Sequence, residues 1–271
     1  MLIHDRIYGS HDITEPVLIE LIHSKALVRL KKINQAGASQ YLFPWKNVTR
    51  FEHSVGVMLL LRQFGASLNE QIAGLLHDVP HTAFSHVADF VFANEHHEFH
   101  ELFHESVITT SDVAAVIKKY KIPRTVMHPE KFGLLERPIP DLCADRIDYA
   151  LRDYFAWKKD HESIFAKLGG LTVHQGEFIF NNPYSAEAFA NDYLMMDQTV
   201  WGDPREAAMY EILAQAIQHA MEKKLLSLDD LFTDDETVLN LLRMKGDAYI
   251  RKKLNYLSLN KDQISRLSQY N

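Results

Sequence analysis

The sequence predicts an all-α fold with one small β-hairpin near residues 171–180. Three observations predict it. Apolar residues recur every three or four positions through VLIELI, HSVGVMLLLRQF and DLCADRIDYALRDYFAW, the period of a helix with one buried face. Helix-capping residues open such segments, and glycine or proline closes them. Alternation is brief, and LTVHQGEFIF about the Gln175-Gly176 turn is its clearest instance.

Each element has a local reason. Residues 2–14 alternate over a short span broken by Gly9, which predicts a small hairpin or an extended arm. From Glu15, VLIELI and KALVRLKKI predict two helices ending near Gly37, and 41–47, with Pro44, reads as a loop. His53 opens a helix that Gly65 ends. A capping box of Ser67 and Glu70 starts the next helix, over 68–78. That helix must stop near Asp78, because Pro80 lacks an amide hydrogen and restricts Val79. A helix from about His86 to Phe92 precedes a His-rich helix over 97–110, and Ser111 or Asp112 caps another that ends near Tyr120. The proline-bearing stretch 121–139 reads as a loop that could form a flap over a site.

A strong helix is predicted over 141–157, with Asp141, Asp145, Asp148 and Arg152 at spacings of four, three and four and therefore on one face. That face has two readings. Either it is solvated and carries an Asp148–Arg152 ion pair, or Asp145 faces the His77-Asp78 doublet. After the hairpin come helices at 186–200 and 204–224, the second with Asp203 as cap, Pro204 at its first position and Glu206 in the box position. Thr233 and Glu236 repeat a capping signature before VLNLLRMK, and Gly246 separates this from AYIRKKLNYL. The expected organisation is a catalytic helical core over 1–168 and a C-terminal helical module over 169–271 that contains the hairpin.

Composition bounds the function. A net charge of −7 over 271 residues argues against wholesale binding to a nucleic-acid backbone, which needs a basic surface. Cys143 is the only cysteine, so no intrachain disulfide forms, and a reducing, cytoplasmic compartment is expected. The longest apolar run, VMLLL, is far too short to span a bilayer.

Histidine is the informative residue. Eight of the fifteen, His53, His77, His81, His86, His96, His97, His100 and His104, fall between Arg50 and Glu105. Imidazoles serve metal binding, proton transfer and anion binding, whereas Glu95, Glu98, Glu101 and Glu105 around the last four also suit a solvated face. The His77-Asp78 doublet at a helix end is sharper, because neighbouring helical side chains diverge by about 100° and octahedral ions take ligands about 90° apart.

The ordered strings RLKKINQAG, TRFEHSVGV, HDVPHTAFSH and DRIDYALRD, with His53, His77-Asp78 and Asp145 inside them, resemble the HD-domain metal-dependent phosphohydrolases. Within that superfamily they resemble the deoxynucleoside triphosphate triphosphohydrolase branch and its bacterial relatives over about residues 3–220. The resemblance implies one divalent ion held by His53, His77, Asp78 and Asp145. Two imidazoles and two carboxylates suit Mn, Fe, Co, Ni, Zn or, less selectively, Mg. It further implies that His86 and His104 line the site, with Asp89 and Glu105 holding those imidazoles. Arg50 and Arg146 would stabilise phosphoryl charge, His81 would contact phosphate or support a ligand, and Gln35, Tyr149 and Asp153 would hold a nucleoside sugar. Ala36, Tyr193 and Asp197 depart from the animal members of that branch. They leave triphosphate and deoxyribose selectivity open, with phosphomonoesters and shorter nucleotides as further substrates. The expected protein is a hydrolase of a nucleotide-like phosphate ester or anhydride that self-assembles through helical surfaces. The alternative is a nucleotide-binding regulatory protein that keeps the metal site with little turnover.

Overall fold

Helices account for most of the chain in the computed structural model, which describes residues 1–94 and 98–258. In chain order the elements are β1 (Leu2–Asp5), β2 (Gly9–Asp12), α1 (Pro16–Ile22), α2 (Lys25–Arg29), α3 (Arg50–Gln63), α4 (Leu68–Leu76), α5 (Val87–Val91), α6 (His104–Thr110), α7 (Val113–Lys119), α8 (Ala144–Lys158), α9 (His161–Gly170), β3 (Leu171–His174), β4 (Glu177–Phe180), α10 (Pro183–Met196), α11 (Pro204–Glu222), α12 (Leu228–Leu231), α13 (Asp235–Lys245) and α14 (Ala248–Leu257). The fold is thus helical with two small antiparallel hairpins. No helix among the described residues is long and apolar enough to cross a membrane.

Local chemistry explains the boundaries, including those that differ from expectation. Ser67 caps α4 by accepting the Glu70 amide, and Asp203 caps α11 by accepting that of Arg205. Helix α8 begins at Ala144, three residues later than the apolar pattern implied. Cys143 is extended, and the Asp141 amide is tied to the Pro138 carbonyl in the preceding turn, so Asp141 leaves the shared face. The His-rich stretch is a 3-10 turn over Phe99–Phe103 followed by α6, while His96 and His97 lie outside the described residues. Asp234, not Thr233, caps α13. Helix α9, capped by Asp160 on the Ser163 amide, and α12, with a Ser227/Asp230 capping box, were not anticipated.

The chain divides into two interleaved compact units. The first comprises Met1–Val28, Phe51–Val79 and His104–Asp197. In it α3 is buried on every side from His53 to Leu61, as a helix apolar all round must be. The β1–β2 hairpin pairs Ile3 with His11, and β3–β4 pairs Val173 with Phe178. Phe178 is buried and sets its ring edge-on to Phe64, with centroids 5.3 Å apart.

The second unit comprises Arg29–Arg50, Pro80–Phe103 and Gln198–Asn271. Its core gathers Met209, Leu213 and Ile217 of α11 with Val87, Phe84 and Leu239. Phe84 and Ser85 take left-handed backbone with φ of 60° and 52°, a costly conformation for non-glycine residues. It is held because the Phe84 and Asn34 amides and the Gln40 side chain all donate to Asp235. Gly37 makes room, since a Cβ there would lie 2.5 Å from the Phe84 carbonyl oxygen.

Candidate metal centre

Three elements of the first unit converge on one point. Helix α3 supplies His53, the end of α4 supplies His77 and Asp78, and the first turn of α8 supplies Asp145. Nδ1 of His77 donates to the Gly74 carbonyl at 2.7 Å, and Nδ1 of His53 donates to Asp148 Oδ2 at 2.7 Å. Each bond fixes its ring so that Nε2 points inward. The two Nε2 atoms lie 3.3 Å apart. Asp145 Oδ1 is 2.8 Å from that of His53 and 3.4 Å from that of His77, while Asp78 oxygens lie at 3.8 and 3.5 Å. Ligands about 2.1 Å from a cation and about 90° apart sit about 3 Å from each other. His53, His77 and Asp78 lie close enough together to hold one divalent ion, and Asp145 Oδ1 stands beside both imidazoles.

The electrostatics ask for a cation. Burial opposes charge on His53, but its bonds to Asp145 and Asp148 prevail and hold it up at about 10. His77 is likewise raised, against burial, by Asp78 and Asp145. Asp145 is held far below the carboxylate range by the two imidazoles, which outweigh its burial.

Around this point, burial and the Asp145 charge push Glu136 up to about 7. Arg146 donates to the Asp141 and Arg137 carbonyls, and Tyr149 shares a 2.6 Å hydroxyl bond with Tyr193. Asp153 is half-buried on α8. His104 is buried, and neither ring nitrogen has a hydrogen-bond partner among the described residues. Burial and the positive His77 push it down to about 4, which leaves a neutral imidazole. Glu105 does not hold it. That carboxylate pairs with Arg124 at the surface, because consecutive residues on a helix point about 100° apart.

The second unit carries the other expected groups. His86 Nδ1 lies 2.9 Å from Asp89 Oδ2, and Asp89 Oδ1 accepts the Phe99 amide at 2.9 Å. His81 stacks on His100 with centroids 3.8 Å apart. Arg50 donates from Nε to Ser85 Oγ at 2.9 Å. Gln35 keeps a buried Oε1 with no hydrogen-bond partner among the described residues.

Sequence reasoning missed the depth of Asp148 and Arg152. They are not a solvated pair, since both side chains are 0% exposed. It missed Asp235 as well, though a second acid directly after the capping Asp234 was a signal of a carboxylate with other work to do.

The family profile described as HD domain matches residues 50–153, a span that contains all four converging side chains. The uncharacterized protein YdhJ of Bacillus subtilis is 42% identical over 90% of this chain and 75% of its own length. The metal-dependent phosphohydrolase cns2 of Cordyceps militaris is 36% identical over 82% of this chain and 67% of its own. The human deoxynucleoside triphosphate triphosphohydrolase SAMHD1 is 30% identical over 52% of this chain but only 26% of its own. A hypothetical protein from Aquifex aeolicus, known from a crystal structure, shares the fold with a TM-score of 0.69, 21% identity, and coverage of 95% of this chain and 74% of that one. Converging imidazoles and carboxylates inside the matched span, together with these relatives, establish that the chain belongs to the HD-domain family of divalent-metal-dependent phosphohydrolases.

Proposed function

We propose that this hydrolase cleaves a phosphate ester or anhydride of a nucleotide-like substrate, using a cation held by His53, His77, Asp78 and Asp145. The observation that carries the reading is the convergence of the two Nε2 atoms, 3.3 Å apart, with Asp145 Oδ1 within 3.4 Å of both. When bound, a divalent cation polarises a phosphoryl oxygen and acidifies water. His53 and His77 are kept in orientation by Asp148 and the Gly74 carbonyl. Neutral His104, close enough to His77 and Asp78 to feel their charge, is the group assigned to take or give a proton at the attacking water or the leaving oxygen. Tyr149 stands on the same face of α8 as Asp145 and Asp153, four residues from each, where it can meet the sugar. The resemblance assigns Gln35, Arg50, His81 and Arg146 to substrate handling, and His86, supported by Asp89, to the same proton or water handling as His104.

The test is a panel of nucleoside mono-, di- and triphosphates and simple phosphomonoesters, offered to the Mn- or Co-loaded chain with phosphate, pyrophosphate and triphosphate all measured. One substrate should release product, and Asp78→Ala and Asp145→Ala should lose both metal and turnover. An Asp145→Ala chain that keeps its metal and its activity overturns the ligand assignment. Release from no phosphate ester or anhydride overturns the function.

A further inference from the structure

The buried charges behind the metal centre continue past the residue that holds His53. Asp148 gives Oδ2 to His53 Nδ1 and both oxygens to the Arg152 guanidinium, at 2.9 Å from Nε and 2.8 Å from NH2. The remaining nitrogen of Arg152, NH1, donates to Asp5 Oδ2 at 3.0 Å and to Glu52 Oε1 at 3.2 Å. Asp5 is the last residue of β1, and its other oxygen accepts the Ile7 and Tyr8 amides at 2.8 and 3.0 Å, closing the turn into β2. The Tyr8 ring lies against the guanidinium, with its centroid 5.8 Å away. His53, Asp148, Arg152 and Asp5 expose 1, 0, 0 and 3% of their side chains. The chain leaves room for this row of groups at Gly56, where a Cβ would lie 1.9 Å from Arg152 NH2 and 2.2 Å from Asp148 Oδ1.

The order of these bonds has a mechanical meaning. A guanidinium is planar and always charged, so its two-pronged bond fixes the plane of the Asp148 carboxylate. That plane fixes the rotation of the His53 ring and hence the direction of Nε2. A fork gripped only at its Asp148 side could still pivot. Asp5, anchored to its own turn by two amides, holds the opposite side together with Glu52.

We infer that Asp5 is a positioning residue for the metal centre: through Arg152 and Asp148 it fixes the His53 ring, so the turn of the first hairpin sets the affinity of the site for a divalent cation. This rests on the reading of His53 as a metal ligand and not on the identity of the substrate.

Isothermal calorimetry of Mn(II) binding to the metal-stripped full chain tests it. Asp5→Asn keeps an oxygen for the Ile7 and Tyr8 amides and removes the charge that faces Arg152. Mn(II) affinity should fall about 10-fold or more, the usual consequence of losing an outer support of a metal ligand. Asp5→Glu should recover most of the loss. Asp12→Asn, an exposed position on β2 of the same hairpin, should leave affinity unchanged. Circular dichroism of each metal-free variant establishes that it is folded. If Asp5→Asn does not fold, Glu52→Gln, which removes the other carboxylate on NH1, takes its place and should weaken binding in the same way. A folded Asp5→Asn chain, or Glu52→Gln in its place, that binds Mn(II) with wild-type affinity overturns the inference even if the enzyme hydrolyses nucleotides. A wild-type chain that binds Mn(II), loses affinity on Asp5→Asn and hydrolyses nothing overturns the proposed function alone.

Discussion

Arg152 grips Asp148 through both carboxylate oxygens from four residues along α8, and neither side chain reaches solvent. A surface pair of this spacing contributes only about 0.3–0.5 kcal/mol. Here the pair is buried, and removing one partner strands the other. Replacing Arg152 with Met should therefore cost about 3–5 kcal/mol in urea unfolding, because Asp5 loses its cation and Asp148 keeps only its bond to His53. A loss below about 1 kcal/mol would mean that these carboxylates reach water.

Gly56 gives a prediction of opposite sign to the usual rule. Glycine inside a helix ordinarily gains about 1 kcal/mol on replacement by alanine. Within α3 the added methyl would meet Arg152 and Asp148 at 1.9 and 2.2 Å. Gly56→Ala should destabilise by about 1–3 kcal/mol, as overpacking does, and should lower metal content with it. A gain in melting temperature would show that the buried row can shift aside without loss.

How much of this was readable in advance depended on whether the cause was local. The stop after Asp78 follows from Pro80, but the helix period left Asp145 with two readings, and only the resemblance of the ordered motifs named it with His53, His77 and Asp78. The role of Asp148 could not be read. Opposite charges at i and i+4 look the same whether the face meets water or meets His53, and only tertiary packing distinguishes the two cases. Glu105 was expected beside His104, but the helix turns it toward Arg124. Helix α9 was passed over because Asp160 and Ser163 form a cap without the Glu or Gln of a full box.

Asp235 makes stability depend on pH in a defined direction. It is 7% exposed, accepts the Phe84 and Asn34 amides at 2.7 and 3.0 Å and Gln40 Nε2 at 3.1 Å, and burial pushes it up to about 6 from 3.8. The folded chain therefore binds this proton more tightly than the unfolded chain. The stability it contributes is full below the unfolded value of 3.8 and is lost as pH rises through about 6. In urea unfolding, the stability of wild type relative to Asp235→Asn should fall by about 1 kcal/mol between roughly pH 5 and 7 and be flat above that. A difference independent of pH would mean that the carboxylate stays ionised throughout. The same substitution turns an amide group toward backbone donors that need an acceptor, so it should cost about 1–3 kcal/mol at neutral pH as well.

Metal bound at the proposed site should stabilise the folded chain. The Nε2 atoms of His53 and His77 face each other across 3.3 Å, with Asp145 Oδ1 within 3.4 Å of both. A divalent ion binds a geometry that exists only when α3, α4 and α8 are packed together. It therefore binds the native chain and not the unfolded one. At a free concentration of about 100 times Kd the gain is about 2.7 kcal/mol. For a chain of this size that raises the midpoint by roughly 5–10 °C. Scanning calorimetry with Mn(II) and with EDTA should show this difference in wild type. It should vanish in Asp145→Ala, which lacks an oxygen 2.8 Å from His53 Nε2. It should persist in Asp235→Asn, whose carboxylate belongs to the second unit and supplies no ligand to the site. A wild-type midpoint indifferent to Mn(II) would remove the metal from the folded state and the proposed chemistry with it.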